Sequence, residues 1–109
     1  MYKLVILIEP PEDRQGFDAQ WPEFLHLAEQ MPGLSREASC RVEQFLFGSC
    51  TYAQAHELYF DTLPAAQQAM ASEPGRAAGR LLQQMTGGKV TLFIADHKED
   101  DLQRIRQFK

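Results

Sequence analysis

Two stretches, Tyr2 to Glu9 (YKLVILIE) and Lys89 to His97 (KVTLFIADH), are apolar at consecutive rather than alternate positions. A strand built this way carries apolar side chains on both faces, so both faces need cover. Whatever the rest of the chain forms, it has to sandwich these two segments.

The intervening sequence supplies cover for one side. From Gln15 onward Phe17, Trp21, Phe24, Leu25, Ala28 and Met31 recur at spacings of three and four, which puts them on one face of a helix, with His26 on the opposite side. An interior Pro22 removes a backbone hydrogen bond, so the regular helix is expected to begin near Asp18 or to bend there; Pro32-Gly33 ends it. Glu37 to Phe47 reads as a second strand, Gly48 to Gln54 as a loop, and His56 to Thr62 (HELYFDT) as a third strand. Pro64 to Ala71 is a short helix, and Ser72-Glu73-Pro74-Gly75 interrupts it and caps a continuation from Arg76 to Met85. Its buried stripe is Ala78, Leu81, Leu82 and Met85; Arg76 and Arg80 belong to the solvated face, and Gly87-Gly88 stops the helix.

The order β-α-β-β-α-β is that of the split βαβ, or ferredoxin-like, motif: α+β, with four antiparallel strands carrying both helices on one face. The second sheet face would then be bare and apolar, beyond what a monomer ordinarily exposes. A second copy stacked face to face covers it, so the sequence implies a homodimer and a dimeric α/β barrel. The 109 residues suit one domain, taken as 1–97, with a charged tail over 98–109 that has Leu102, Ile105 and Phe108 at amphipathic spacing.

A formal charge of −4 argues against a nucleic-acid partner and against a polybasic membrane contact. The longest apolar run, Leu4 to Ile8, is too short to span a bilayer. Cys40 and Cys50 show no CxxC spacing and no leader-like segment precedes them, so reduced thiols in the cytoplasm are expected, with a Cys40–Cys50 disulfide as the alternative.

Candidate chemistry gathers on the third strand. Leu58 and Phe60 share the face that packs on helices with His56, while Glu57, Tyr59 and Asp61 share the other. A carboxylate buried there has a raised pKa and suits proton transfer, and a neighbouring phenol orients a carbonyl; the plainer reading pairs Glu57 with Arg41 across the strands. His97 ends the fourth strand beside Asp96, a further proton-transfer candidate or a structural strand end. Trp21, with Phe17 and Phe60, offers an apolar wall for a flat ligand, or simply anchors the core. Three isolated histidines and two separated cysteines match no metal-ligand spacing, and no GxSxG or dinucleotide fingerprint is present, so no metal and no tightly bound cofactor are expected.

Several short segments resemble the EthD family, small proteins named for ethyl tert-butyl ether degradation. They are Phe17-Asp18-Ala19-Gln20-Trp21, Met31-Pro32-Gly33-Leu34, Glu57-Leu58-Tyr59-Phe60-Asp61, Ala69-Met70-Ala71-Ser72-Glu73-Pro74-Gly75 and Ala95-Asp96-His97. The resemblance spans about residues 2 to 100. It implies a dimeric α/β barrel of the kind shared with muconolactone isomerases, cofactor-free quinone-forming monooxygenases and haem-degrading proteins. Many relatives carry a His or Tyr before the helix tryptophan and a His about one turn after it; here Gln20 and Phe24-Leu25 hold those places. Two functions follow as expectations. One is an oxidoreductase-class enzyme acting on a small aromatic or carbonyl-bearing metabolite, with Tyr59, Glu57 and His97 at the chemistry. The other is a non-catalytic accessory module that binds a metabolite or a pathway partner.

Overall fold

The computed structural model describes residues 1–49 and 52–100. Its elements run β1 (Tyr2–Ile8), α1 (Arg14–Glu29), β2 (Arg36–Arg41), β3 (Gln54–Phe60), α2 (Leu63–Ala71), α3 (Glu73–Thr86) and β4 (Val90–Asp96). The strands form one antiparallel sheet in the order β2-β3-β1-β4, an open ferredoxin-like sheet with the apolar strand β1 at its centre.

Register assigns the faces. Opposite residues share a side, so Leu4, Leu58 and Ile94 face one way and Val5, Glu57 and Phe93 the other. The helices cover the first side, where Leu4, Ile6, Ile8, Leu58 and Phe60 pack with Phe17, Phe24 and Leu82. Burial of these large side chains out of water is the main force holding helices to sheet. The other side stays uncovered in the single chain, and Phe93 there is 45% exposed.

Helix α1 begins one turn earlier than the spacing of its apolar residues suggested. Asp13 caps it, its Oδ1 accepting from the Gly16 N–H at 3.0 Å, and the helix runs from Arg14 through Pro22 to Glu29. The cap and the apolar face therefore outweigh the backbone bond lost at Pro22.

Strand β2 is shorter than the Glu37–Phe47 expected. It stops at Arg41, one further backbone bond joins the Val42 N–H to the Ala53 carbonyl, and Phe45, Leu46 and Phe47 stand exposed beyond it. An apolar run is a strand signal only when a partner strand lies beside it, and β3 begins at Gln54, which pairs with Arg41. Cys40 is exposed and has no disulfide partner among the described residues; Cys50 and residues 101–109 lie outside them, and so do the disulfide alternative and most of the tail.

Ser72 ends α2 and starts α3 with one hydroxyl, which donates to the Ala69 carbonyl at 2.5 Å and accepts from the Gly75 N–H at 3.1 Å. Losing a serine cap costs about 1 kcal/mol, up to about 2. Ser72→Ala is expected toward the upper end because two helix ends lose a partner together; urea denaturation measures it. Gly87, at φ 62°, takes the left-handed turn that closes α3 and sends the chain into β4.

Candidate functional site

On the helix-covered side of the sheet, β2 and β3 bring three polar side chains into line. Ser39 lies directly opposite His56, and Glu37 stands two residues before Ser39 on the same face. Ser39 Oγ is 2.5 Å from His56 Nδ1, and His56 Nε2 is 3.0 Å from Glu37 Oε2. A carboxylate only accepts, so Nε2 carries the hydrogen given to Glu37, and Nδ1 is left to accept the Ser39 O–H. Helix α1 roofs the array: the Trp21 and Phe24 rings meet the imidazole edge-on at 5.3 and 6.1 Å.

His56 is 2% exposed, whereas Ser39 is open to solvent. Burial pushes the imidazole below its ordinary 6.5, although the negative charges of Glu29 and Glu57 pull the other way. Glu29, at the end of α1, is raised above its ordinary range by a hydrogen bond to Glu37.

Ser39 opens onto a cleft of about 330 Å³ between α1 and the edge of the sheet, with Phe17 and Trp21 on one wall and Arg14, Asp18, Arg41 and Gln54 around it. Arg14 is tied to Asp18 at 3.3 Å, while the Arg41 guanidinium makes no ion pair among the described residues. A second, apolar cavity of about 190 Å³ lies between the helices and β1, β3 and β4. Its walls include Leu4, Phe24, Leu58, Ala78 and Leu82, with Met70, Arg76 and Leu92 exposed at its rim.

The open side of the sheet holds a separate polar group. Lys3 forms an ion pair with Glu57, the Tyr59 hydroxyl donates to Glu57 Oε1 at 3.2 Å, and the Arg36 guanidinium lies 4.2 Å from the Tyr59 ring centre. Glu99 closes the group, 3.1 Å from Arg36 and 2.7 Å from His97 Nε2, and the His97 ring meets Tyr59 edge-on at 5.0 Å. The sheet thus divides the anticipated site residues. Tyr59, Glu57 and His97 do come together, but on the face opposite Trp21, Phe17 and Phe60.

Two expectations for Glu57 are corrected. It pairs with Lys3 rather than Arg41, because the register places Arg41 opposite Gln54. Its pKa is lowered, not raised: burial pushes the carboxyl up, but the Lys3 hydrogen bond and charge, helped by Tyr59 and His97, outweigh it. Phe17 and Trp21 line the cleft, whereas Phe60 is wholly buried and lines neither cleft nor cavity.

His56 and Glu57 both bind protons more readily in the unfolded chain, so both erode stability toward acid. For His56 the loss begins as pH falls through 6.5, where the unfolded imidazole protonates and the buried one does not. For Glu57 it begins as pH falls through 4.5 and continues to the lower folded value. Urea midpoints measured from pH 8 to pH 3.5 should fall in these two windows, and His56→Gln should flatten the first while leaving the second.

Known proteins place the chain. A crystallised ethyl tert-butyl ether degradation (EthD) family protein from Bacillus halodurans is 31% identical and superimposes with a TM-score of 0.81, over 90% of this chain and 99% of the other. The chain belongs to the EthD family. No protein-family model matches this EthD chain. An uncharacterized 11.0 kDa protein of the thcB-thcC intergenic region of Rhodococcus erythropolis is 31% identical over 101 residues, 90% of this chain and 96% of its own. More distant structures share the fold. A dimeric ferredoxin-like protein of unknown function from Jannaschia matches at 15% identity and TM-score 0.68, over 88% of this chain and 98% of that one. SnoaB, a cofactor-independent oxygenase from Streptomyces nogalater, matches at 10% identity and TM-score 0.68, over 91% and 94%.

For the EthD chain, the residue that reading the sequence passed over is His56. Strict alternation placed it on the apolar face at a strand start, where it looked like filler. A usable signal was present in Glu37-x-Ser39 on the preceding strand: two polar side chains on one face are suited to satisfy a histidine opposite them.

Proposed function

We propose that this EthD protein acts as a homodimer that takes up a small organic molecule, aromatic or carbonyl-bearing, between its helices and its sheet. The apolar cavity of about 190 Å³ carries the reading. A dry cavity of roughly 150 Å³ lined by Leu, Ile and Phe holds a benzene ring, and Leu4, Phe24, Leu58 and Leu82 supply comparable walls. Arg76 at the rim makes no ion pair among the described residues and is placed to meet a carbonyl or acid group on the ligand. Family membership supports a small-molecule role in oxidative or degradative metabolism, with oxidoreductase as the reaction class the resemblance implies. The open sheet face, with Phe93 exposed and Val5 beside it, supports a second copy as the cover, as in the dimeric proteins of the same fold.

A second reading, a binding module without turnover, is favoured by the open-face cluster. Lys3 cancels Glu57 and Arg36 cancels Glu99, which leaves the anticipated base neutralised. Tyr59, Glu57 and His97 then serve the contact between copies.

Methyl NMR during titration with phenol or benzaldehyde tests the binding. Saturable shifts at Leu58, Leu82 and Leu92 are expected, and the ligand partitions to the cavity in preference to the Ser39 cleft. A Cβ added at Gly79 meets nothing within 4 Å, and Gly79 lies on the cavity wall. Gly79→Leu should therefore fold normally and abolish those shifts, whereas shifts that persist in this variant would refute the assignment. Native mass spectrometry should show a dimer that Phe93→Glu converts to monomer.

A further inference from the structure

The cavity proposed to bind the metabolite does not use the polar array on β2 and β3, and the array has a chemistry of its own. A hydroxyl, an imidazole and a carboxylate stand in hydrogen-bonded sequence, at 2.5 Å and then 3.0 Å. That is the arrangement by which a weak oxygen nucleophile gains a base and the base gains an orienting partner, on whatever fold it occurs. We infer that Ser39 is a nucleophile, served by His56 as its base and by Glu37 as a positioning residue, and that it accepts acyl groups from small esters entering the cleft beside Trp21.

Three observations carry this beyond a histidine that is merely satisfied. The outer member is the reachable one: Ser39 is open to solvent, while its partner His56 is 2% exposed and Glu37, behind the imidazole, is half-buried. The Ser39 hydroxyl meets a cleft of about 330 Å³ with Phe17 and Trp21 to hold an aryl or alkyl group. Arg41, two residues further along the same face of β2, brings to that cleft a guanidinium without an ion-pair partner among the described residues, a donor for a developing oxyanion.

The step balances without an outside oxidant or reductant. Ser39 Oγ attacks the ester carbonyl carbon as its proton passes to His56 Nδ1, and the carbonyl oxygen becomes the tetrahedral oxyanion. Collapse breaks the bond to the leaving oxygen, which takes the proton from Nδ1 and departs as an alcohol or phenol. Water then attacks the acyl-serine, giving its proton to Nδ1, and the acid leaves as Ser39 recovers its hydrogen. Glu37 accepts from Nε2–H throughout and stabilises the imidazolium formed in each half.

The test uses the full chain with p-nitrophenyl butyrate and, separately, with a fluorophosphonate probe. The expected result is saturable ester hydrolysis and a single fluorophosphonate adduct that peptide mapping assigns to Ser39. Ser39→Ala, at an exposed position that leaves the core intact, should lower hydrolysis at least 100-fold and remove the adduct. Ser35→Ala, whose hydroxyl only donates to the Tyr59 carbonyl, should leave both unchanged. Glu37→Gln should slow acylation strongly, with Glu37→Asp recovering part of the rate, a graded rescue that loss of fold would not give. An adduct on Cys40 or a tyrosine, the absence of any adduct, or wild-type hydrolysis by folded Ser39→Ala would each overturn the inference. Aromatic binding in the separate cavity, and its loss in Gly79→Leu, is unaffected by any of these outcomes.

Discussion

Phe60→Ala is expected to cost about 3–5 kcal/mol, a large part of the roughly 5–15 kcal/mol that holds a domain of this size together. The ring is wholly buried at the end of β3, opposite Tyr2 in the register and on the helix-covered side of the sheet. Truncation removes its transfer free energy and leaves a void between sheet and helices that close-packed neighbours fill only in part. Chemical denaturation should show the midpoint falling at an unchanged slope, or the variant should fail to fold at all. A ligand-contacting phenylalanine would behave differently, weakening binding while sparing stability, and a stable Phe60→Ala protein would contradict this packing.

Two glycines of helix α3 should respond to alanine in opposite directions. At Gly75 an added methyl lands on the Ala69 carbonyl oxygen and comes within 3.0 Å of the Met70 carbonyl oxygen, both rigid backbone. This is the point where α3 starts against the end of α2, so the helices must separate to admit it; a loss of about 1–3 kcal/mol follows, as for other overpacked sites. At Gly79, one turn on, the same methyl meets nothing within 4 Å. There alanine removes the helix penalty of glycine and should stabilise by about 0.5–1 kcal/mol. Thermal melts of the two variants side by side check both signs in one experiment, and equal effects would show that the α2–α3 junction is looser than its geometry indicates.

The segments that encoded themselves clearly are those whose pattern is local. The double-faced apolar runs gave β1 and β4, the three-and-four spacing gave the buried stripe of α1, and Ser72-Glu73-Pro74-Gly75 announced the break between α2 and α3. Features that depend on pairing between distant residues were harder to read. Nothing near Glu57 in sequence indicates Lys3, which the β1–β3 register sets across from Tyr59 and within reach of Glu57. That ion pair reversed the direction of the Glu57 pKa, and the β2–β3 register hid the partners of His56. Where β2 ends was similarly opaque, because Val42, Phe45, Leu46 and Phe47 are good strand residues that lack a strand to meet. Tyr59, Glu57 and His97 stand near one another, yet knowledge of which face they occupy required the fold.

Strand β2 lies at the edge of the sheet, with β3 as its one neighbouring strand, and it contributes to both faces at once. Glu37 and Ser39 hold His56 from one side, and Arg36 covers Tyr59 from the other. An outward swing of this strand releases the imidazole from both partners in the same motion that lifts the guanidinium from the phenol ring. The β2 contacts to the histidine and to the tyrosine are therefore lost together, and the amide exchange rates of β2 are a gauge of both.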